Sequence, residues 1–391
     1  MAAEARTAVS PARRVAFRIL LLVEKGGYAL DLLAARTGRL ESRDAALAEE
    51  LVLGCLRWQA QLDWWIARLS GRDPARLDAE VRAALRLGIY QLRHLDRIPA
   101  HAAVYEAVEL VKLSGHRFAA PFVNAVLRKV GREPVEFPDE AVELSHPAWL
   151  LERWQRHYGR ETALGIARAN LRRPETYVRL APGAAPPAGI VLEATEVPNC
   201  YRVVEGRAPG LRIQDIGSQA VMTLLELKPG LTLLDLCAAP GNKTAQALDS
   251  GCRVVACDLH LSRLRRLKDL PCDLVVADAS RPLPFRRRFE RILLDVPCSG
   301  TGTLARNPEI KWRLTPQKLG ELHELQVRLL RNALELLAPG GLLLYVTCSL
   351  EPEENQHVLE EVLGAPPERF VQRIPGRDPG DGFFAAVIRS S

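Results

Sequence analysis

The chain contains 391 residues, more than one hydrophobic core usually organises, so two or three domains are expected. Its 48% hydrophobic and 26% charged residues are typical of a globular protein and argue against intrinsic disorder. No apolar run approaches the ~20 residues that cross a bilayer. Residues 1–14 lack the apolar core of a secretory signal. We therefore expect a cytoplasmic protein that does not bind a membrane.

The eight cysteines have neither C-x-x-C spacing nor nearby histidines, so we expect reduced thiols and no metal site. The formal net charge of +6 comes entirely from residues 1–135, which hold 21 Lys and Arg against 15 Asp and Glu. A basic N-terminal third suits a protein that binds a polyanion, because Arg and Lys contact phosphates without sequence preference. Solvated arginines on helix surfaces are the competing explanation.

Residues 11–130 repeat apolar side chains at i, i+3 and i+4, which predicts a bundle of helices. A proline-containing stretch at 133–138 interrupts the pattern, so we place a first domain at 1–135. Three tryptophans are interpreted as packing inside the bundle rather than as base-stacking platforms. They are Trp58, Trp64 and Trp65.

A small α+β segment is predicted at 140–210, with a helical part at 145–170 and short strands at 191–213. From 211 to 391, apolar strand candidates alternate with helical stretches, which predicts a mostly parallel sheet covered on both faces. The strand candidates are 231–236, 253–257, 274–277, 291–296 and 342–346. The helical stretches lie around 243–248, 261–270, 318–337 and 353–363.

Ligands of such sheets bind at the carboxyl ends of the strands. The first strand candidate runs into small residues and a helix start, where a ligand can approach the backbone and the free N–H groups. This loop consists of Cys237, Ala238, Ala239, Pro240, Gly241, Asn242 and Lys243. It lacks the G-x-G-x-x-G and G-x-x-x-x-G-K-[ST] motifs, which disfavours a dehydrogenase and a P-loop protein.

The next three strand candidates each end on a carboxylate, namely Asp258, Asp278 and Asp295. A carboxylate at a strand end can accept hydrogen bonds from both hydroxyls of a ribose. Solvated turn aspartates are the competing explanation, but three successive strands with the same feature favour a binding site.

Two cysteines lie at the same predicted edge, since Cys298 follows the fourth strand and Cys348 ends the fifth. Carbon 5 of cytosine is a poor nucleophile, and adding a thiolate to carbon 6 enables carbon 5 to attack a methyl sulfonium. A second thiolate can then remove the carbon-5 proton, while Asp295 hydrogen-bonds the base at N3 and its exocyclic amine. The residues alone do not decide which cysteine attacks.

Three motifs carry a resemblance to a known family: CAAPGNKT at 237–244, DVPCSGTGTLARNPEIKWR at 295–313 and TCS at 347–349. With them the chain resembles, over nearly its full length, the RsmB/Sun (Fmu) branch of the NOL1/NOP2/Sun RNA cytosine-C5 methyltransferases. The resemblance implies an all-α NusB-like RNA-binding domain at 1–135. It also implies a small α+β RNA-contact subdomain at 140–210 and a Rossmann-like class I methyltransferase domain at 211–391.

The resemblance implies S-adenosylmethionine as cofactor and 16S rRNA, the small-subunit RNA, as substrate. Residues 237–243 would line the cofactor site, completed by the three strand-end carboxylates. Cys348 would be the nucleophile, Cys298 would assist product release, and Lys311 would position the substrate. Nothing in the sequence requires a partner chain, so a monomer is expected.

Two departures from the family pattern have consequences. Asn242 stands where the family usually has Gly, and we expect the loop to keep its shape because Asn tolerates a left-handed backbone. Leu180 and Ala181 follow Arg179 where an RVN-like triplet is typical, which weakens the expected RNA contact of the middle segment. A non-catalytic rRNA-binding assembly factor and a C5 methyltransferase of another RNA, such as tRNA, remain alternatives.

Overall fold

The computed structural model describes residues 9–206, 208, 210–367 and 369–390. The chain forms two compact units. The helical unit comprises the chain up to Arg172 together with Leu304–Arg313, and the sheet unit comprises Arg173–Thr303 and the chain from Leu314 onward. Most of the stretch examined for a secretory signal lies outside the described residues.

The helical unit is a bundle whose apolar positions recur at the spacing of an α-helix and meet in one core. Trp65 lies inside this core, and Trp58 and Trp64 pack against it, which confirms that the three tryptophans are packing residues. The helices are α1 (Pro11–Glu24), α2 (Ala29–Thr37), α3 (Ser42–Arg57), α4 (Gln59–Ser70), α5 (Ala79–His94), α6 (Ala100–Leu113), α7 (Ala120–Leu127), α8 (Glu140–Glu143), α9 (Ala148–Tyr158) and α10 (Arg160–Leu171).

Residues 140–210 do not form the single subdomain predicted from the sequence. Helices α8 to α10 belong to the helical unit, where Gln61 Nε2 donates to the Glu143 carbonyl at 2.5 Å and Ala60 N donates to Ser145 Oγ at 3.0 Å. The helix predicted at 145–170 is two helices, because Gly159 between them has a φ of +79° that ends α9.

The strands of this segment lie in the sheet unit, where they form a four-stranded antiparallel sheet of order β2-β3-β1-β4. They are β1 (Tyr177–Arg179), β2 (Val191–Ala194), β3 (Cys200–Glu205) and β4 (Arg212–Ile213). Arg179 is buried here and pairs with Asp249 at 3.0 Å. Its side chain therefore fastens this small sheet to the rest of the unit.

A seven-stranded sheet of order β10-β11-β9-β8-β5-β6-β7 forms the rest of the unit. Its strands are β5 (Thr232–Leu236), β6 (Arg253–Asp258), β7 (Asp273–Val276), β8 (Phe289–Asp295), β9 (Leu337–Thr347), β10 (Arg369–Arg373) and β11 (Phe383–Arg389). The sheet unit also contains the helices α11 (Ile216–Val221), α12 (Asn242–Asp249), α13 (Leu261–Leu264), α15 (Pro316–Glu335) and α16 (Gln356–Leu363). Helix α14 (Ile310–Arg313) lies between α13 and α15 in the sequence but belongs to the helical unit.

Strands β5 to β9 are parallel, and apolar clusters cover both faces of the sheet. This confirms the Rossmann-like fold expected for the C-terminal half. The sequence analysis did not predict β10 and β11, the two antiparallel strands that extend the sheet beyond β9. Among the described residues, no helix combines the length and apolarity that a membrane span requires.

Alanine substitutions at two glycines inside helices of the helical unit are expected to change the free energy of unfolding in opposite directions. A Cβ at Gly54 in α3 would lie 2.0 Å from the Tyr90 ring, whereas nothing lies within 4 Å of the same position at Gly165 in α10. We expect Gly54→Ala to lower the free energy of unfolding by about 1–3 kcal/mol through overpacking. Gly165→Ala should raise it by about 0.5–1 kcal/mol, because Ala restricts the unfolded chain.

Urea denaturation of the full chain, followed by tryptophan fluorescence, measures both changes. The close packing of α3 on α5 would be contradicted if Gly54→Ala matched the stabilising effect of Gly165→Ala.

Candidate functional site

Residues 237–241 form a tight loop between β5 and α12, at the carboxyl edge of the sheet, and Asn242 and Lys243 begin α12. Cys237 and Gly241 have φ angles of +64° and +102°, and a Cβ at Gly241 would lie 2.6 Å from Leu267. Only glycine fits at position 241, because a side chain would face both a strained backbone and this close approach. Burial and the nearby carboxylate of Asp295 raise the pKa of Cys237, so this thiol stays protonated.

Asn242 does not adopt the left-handed conformation expected for it. It is the first residue of α12, and its Nδ2 donates to the Ile213 carbonyl at 3.2 Å. The left-handed position is the preceding Gly241. The loop accommodates Asn242 because the tight turn is made one residue earlier, which corrects the reason given from sequence.

Lys243 forms an ion pair with the partly exposed Asp295, with Nζ 2.7 Å from Oδ2. Burial lowers the pKa of Lys243, but the charge of Asp295 and its hydrogen bond outweigh burial and leave the pKa raised. A negative charge on Cys348 raises it further. Lys243 is therefore a fixed cation that joins the loop after β5, the end of β8 and the cysteine after β9.

The two other predicted carboxylates differ in what they contact. Asp258 is 3% exposed and accepts from Ala239 N at 3.2 Å and from His260 N at 3.0 Å, so it orders the loop after β5. Asp278 lies two residues beyond β7, and two hydrogen bonds from Ser280 lower its pKa. Both stand at the carboxyl edge of the sheet as predicted.

The sequence analysis did not identify a further acid, Asp235 near the end of β5, because no sequence feature distinguishes it from an ordinary strand residue. It is 1% exposed, and burial raises its pKa to about 7. Thr244 donates to its Oδ2 at 2.5 Å, which fixes the start of α12 against β5.

The two predicted cysteines meet at this edge, with their sulfur atoms 3.3 Å apart. Gly302 N donates to the Cys348 carbonyl at 2.9 Å, and a Cβ at Gly302 would lie 2.9 Å from the same oxygen. The loop after β8 reaches the end of β9 because position 302 has no side chain. The hydrogen bond to Cys348 and then burial raise the pKa of Cys298 well above its usual range. The arrangement therefore holds one protonated thiol against a second sulfur.

A buried carboxylate, Glu354, lies behind this pair and was also missed. It accepts from Ser299 N at 2.7 Å and from Ser349 Oγ at 2.5 Å. Burial raises the pKa of Glu354, and the hydrogen bonds from both serines oppose that shift. Its only sequence signal is the run Pro352 to Asn355 after the TCS motif, which periodicity cannot distinguish from a helix start.

Comparison with known proteins agrees with these features. Residues 222–375 match the family model described as 16S rRNA methyltransferase RsmB/F, and residues 10–132 match the model of the NusB family. Ribosomal RNA small subunit methyltransferase B of Citrobacter koseri is 32% identical over 94% of this chain and 96% of its own length. The protein of that name from Cronobacter sakazakii is 33% identical, covering 94% of this chain and 95% of its own.

The chain belongs to the RsmB family of 16S rRNA methyltransferases. Solved structures agree in fold, since PH0851 superposes with a TM-score of 0.82 at 24% identity, covering 98% of this chain and 99% of that one. A methyltransferase homolog protein from Pyrococcus horikoshii gives a TM-score of 0.56 at 26% identity, covering 66% of this chain and 100% of its own. The helical unit thus contains a NusB domain, and the family implies an RNA substrate.

The long family motif at 295–313 divides between the two units. Residues up to Thr303 belong to the sheet unit, whereas Leu304–Arg313 belongs to the helical unit. There Lys311 Nζ donates to the Arg57 carbonyl at 2.9 Å and Trp312 Nε1 donates to the Leu56 carbonyl at 2.7 Å. Both acceptors lie at the end of α3, where free carbonyls need donors and favour a cation.

The same segment satisfies the ends of two more helices. Arg313 donates to the carbonyl of Val23, in the last turn of α1, and to that of Gly27, which follows α1. Glu309 accepts from Ala29 N, the first residue of α2, at 2.9 Å. An acid at a helix start and the Arg313 cation at a helix end match the helix dipole. Residues 309–313 therefore cap three helices of the RsmB helical unit.

Lys311 is consequently not the substrate residue expected from the family motif. Its side chain is 1% exposed. Burial is the main cause that lowers its pKa well below the usual range, and the positive charge of the nearby Arg57 guanidinium lowers it further. An amine enclosed in this way cannot contact RNA. Its assignment is corrected to that of a structural residue of the helical unit.

This depressed pKa predicts a pH-dependent stability. As the pH falls below about 10.4, the usual lysine pKa, the unfolded chain binds a proton at Lys311 that the folded chain does not. Lys311 therefore destabilises the fold increasingly as the pH falls from about 10 towards the folded pKa. We expect Lys311→Met to gain stability relative to the original chain as the pH is lowered from about 9.5 to 7.5.

Urea unfolding at each pH gives the free energy of unfolding of Lys311→Met and of the original chain. The difference between these two chains is then compared at the two pH values. Lys268→Met, at an exposed lysine of the sheet unit, is the matched control and should show no such trend. A difference that does not change with pH would mean that Lys311 stays protonated in the fold.

Proposed function

We propose that this chain methylates carbon 5 of a cytosine in 16S rRNA, with S-adenosylmethionine as methyl donor and a covalent intermediate on Cys348. The observation that carries the proposal is the pair of sulfur atoms 3.3 Å apart, beside the Lys243–Asp295 ion pair. Methylation of an exocyclic amine or a hydroxyl needs no thiol. Two thiols together at the functional edge of the sheet suit the addition and elimination that carbon 5 of cytosine requires.

The loop at 237–243 fits a nucleoside-like cofactor, because small side chains let a ligand approach the backbone at the start of α12. Asp258 and Asp278 stand at the ends of neighbouring strands, where carboxylates suit ribose hydroxyls and a cationic sulfonium compound. Asp295 completes this proposed cofactor site. S-adenosylmethionine, when bound, supplies the electrophilic methyl group.

The protonation states favour Cys348 as the nucleophile. Cys298 has a raised pKa and stays a thiol, with its sulfur 3.3 Å from that of Cys348. A thiol that stays protonated is a poor nucleophile, which leaves Cys348 to add to carbon 6 as a thiolate. Carbon 5 then becomes nucleophilic and accepts the methyl group.

Asp295 is one-third exposed, so one of its oxygens can accept from the exocyclic amine of the base while the other pairs with Lys243. After the transfer, carbon 5 still carries a proton. Because Cys348 is then a thioether without charge, the main cause that raises the pKa of Cys298 has gone. Cys298 then releases its thiol proton to solvent, and its thiolate takes the carbon-5 proton while the bond from carbon 6 to Cys348 breaks. The double bond of the ring returns, Cys348 leaves as a thiolate and Cys298 is a thiol again.

The two cysteines should fail in different ways when they are replaced. Cys348→Ala removes the nucleophile, so neither methyl transfer nor an adduct is expected. Cys298→Ala leaves attack and methyl transfer possible but blocks proton removal, so a covalent protein–RNA adduct should accumulate. Denaturing gel electrophoresis with labelled 16S rRNA measures both outcomes. An adduct in Cys348→Ala, and none in Cys298→Ala, would reverse the roles.

Turnover itself separates this proposal from a non-catalytic assembly factor. Incubation of the full chain with methyl-labelled S-adenosylmethionine and deproteinised 16S rRNA should yield labelled 5-methylcytosine on nucleoside analysis. Labelling of tRNA instead would move the substrate to the alternative RNA. Tight RNA binding without label, on naked rRNA and on small-subunit particles alike, would favour the assembly factor.

A further inference from the structure

One buried carboxylate is shared by the two loops that carry the cysteines. Glu354 is fully buried and accepts from the backbone N and the hydroxyl of Ser299, which follows Cys298. It also accepts from the hydroxyl of Ser349, which follows Cys348, at 2.5 Å. The loop after β8 and the turn after β9 therefore converge on the same two oxygen atoms.

The carboxylate is itself held in place from behind. Gln326 on α15 donates from Nε2 to Glu354 at 3.1 Å and to the Pro297 carbonyl at 2.9 Å. Tyr345 on β9 donates to the backbone carbonyl of Glu354 at 2.7 Å. A side chain fixed by both a helix and a strand has little freedom to follow a loop that moves.

The next residue, Asn355, holds the turn around Cys348. Its Oδ1 accepts from Thr347 Oγ1 at 2.5 Å, and its Nδ2 donates to the Ser349 carbonyl at 3.0 Å. The residues before and after Cys348 are thus both bound to Asn355. The position of Cys298 relative to this turn depends instead on Glu354 and on the Gly302 N–H that donates to the Cys348 carbonyl.

We propose that Glu354 is a positioning residue that sets the separation of the Cys298 and Cys348 sulfur atoms. A carboxylate accepts from the Ser299 N–H, the Gln326 amide and both serine hydroxyls at once. A glutamine of the same size has no charge and one acceptor oxygen fewer, so both serine hydroxyls must reverse to accept from its NH₂ group, and the charge-assisted bonds that fix the Ser299 loop are lost.

The consequence for catalysis rests on the proposed function. If Glu354 is replaced, the Ser299 loop shifts relative to Cys348, and Cys298 no longer reaches the carbon-5 proton. Methyl transfer needs only Cys348, whereas release of the product needs both sulfurs. The loss should therefore fall on release, and the covalent adduct should persist.

The separation of the sulfurs is measured without substrate by disulfide formation in the full chain. Diamide oxidises two neighbouring thiols to a disulfide, taking two electrons and two protons to become its hydrazine. We expect the bond between Cys298 and Cys348 to form on the order of tenfold more slowly in Glu354→Gln, since small displacements of reacting atoms cost large factors in rate. Peptide mapping by mass spectrometry follows this bond.

Glu360→Gln is the matched control, because Glu360 is an exposed glutamate of α16, six residues along the chain. It should oxidise at the original rate. Equal rates in Glu354→Gln and the original chain would overturn the proposal. If Glu354→Gln does not fold by circular dichroism, Ser299→Ala removes one hydroxyl and should slow the same bond, and an unchanged rate there would overturn it equally.

The second readout is the protein–RNA adduct. Glu354→Gln should retain an adduct with 16S rRNA that the original chain and Glu360→Gln release, as expected for Cys298→Ala. An altered oxidation rate without any methylation by the original chain would leave the positioning role in place and reject the proposed function. An unaltered oxidation rate in an active enzyme would reject the positioning role and leave the proposed function in place.

Discussion

The sulfur atoms of Cys298 and Cys348 lie 3.3 Å apart, a separation at which two thiolates repel each other strongly. A negative charge on one sulfur therefore opposes a charge on the other, and the contact with Cys348 raises the pKa of Cys298 well above its usual range. The separation of these two atoms thus keeps Cys298 protonated beside Cys348.

Keeping such a pair together needs support that the sheet alone does not give. Parallel strands bring their carboxyl ends to one edge, but the loops that leave them run in different directions. The Gly302 backbone and the Glu354 carboxylate tie the loop after β8 to the turn after β9. Both contacts are buried, where hydrogen bonds to a charged group are strong and costly to leave unmade.

The sequence predicts this edge well, because its signals are local. Apolar runs mark the parallel strands, and the residue after each run, such as Asp258 or Asp295, must then lie at the carboxyl edge. Glu354 gives no such signal, because its role depends on two loops that only the tertiary fold brings together. β10 was missed because exposed residues such as Phe370 and Val371 leave it without clear alternation. β11 was missed because its first four residues are all buried, so it does not alternate either.

A motif can also be recognised correctly and still be assigned to the wrong place. The run 295–313 is continuous in sequence, yet its second half is part of the helical unit. The resemblance to the family made Lys311 a candidate substrate contact, because it lies in the same motif as Asp295 and Cys298. The free carbonyls at the end of α3 explain its burial instead, and no local pattern around Lys311 contains them.

This placement changes how the helical unit can be studied. Its three capped helix ends, after α1, before α2 and after α3, depend on residues 309–313, which follow Cys298 in the chain. A fragment that ends at Arg172 would lack these caps, each of which contributes on the order of 1 kcal/mol. A deletion of residues 1–135 would in turn leave Lys311 and Arg313 without the carbonyls that hold them. Lost RNA affinity in either truncation would thus mix binding with stability, so substitutions of exposed arginines in the full chain are the cleaner way to ask whether the basic excess of residues 1–135 binds rRNA.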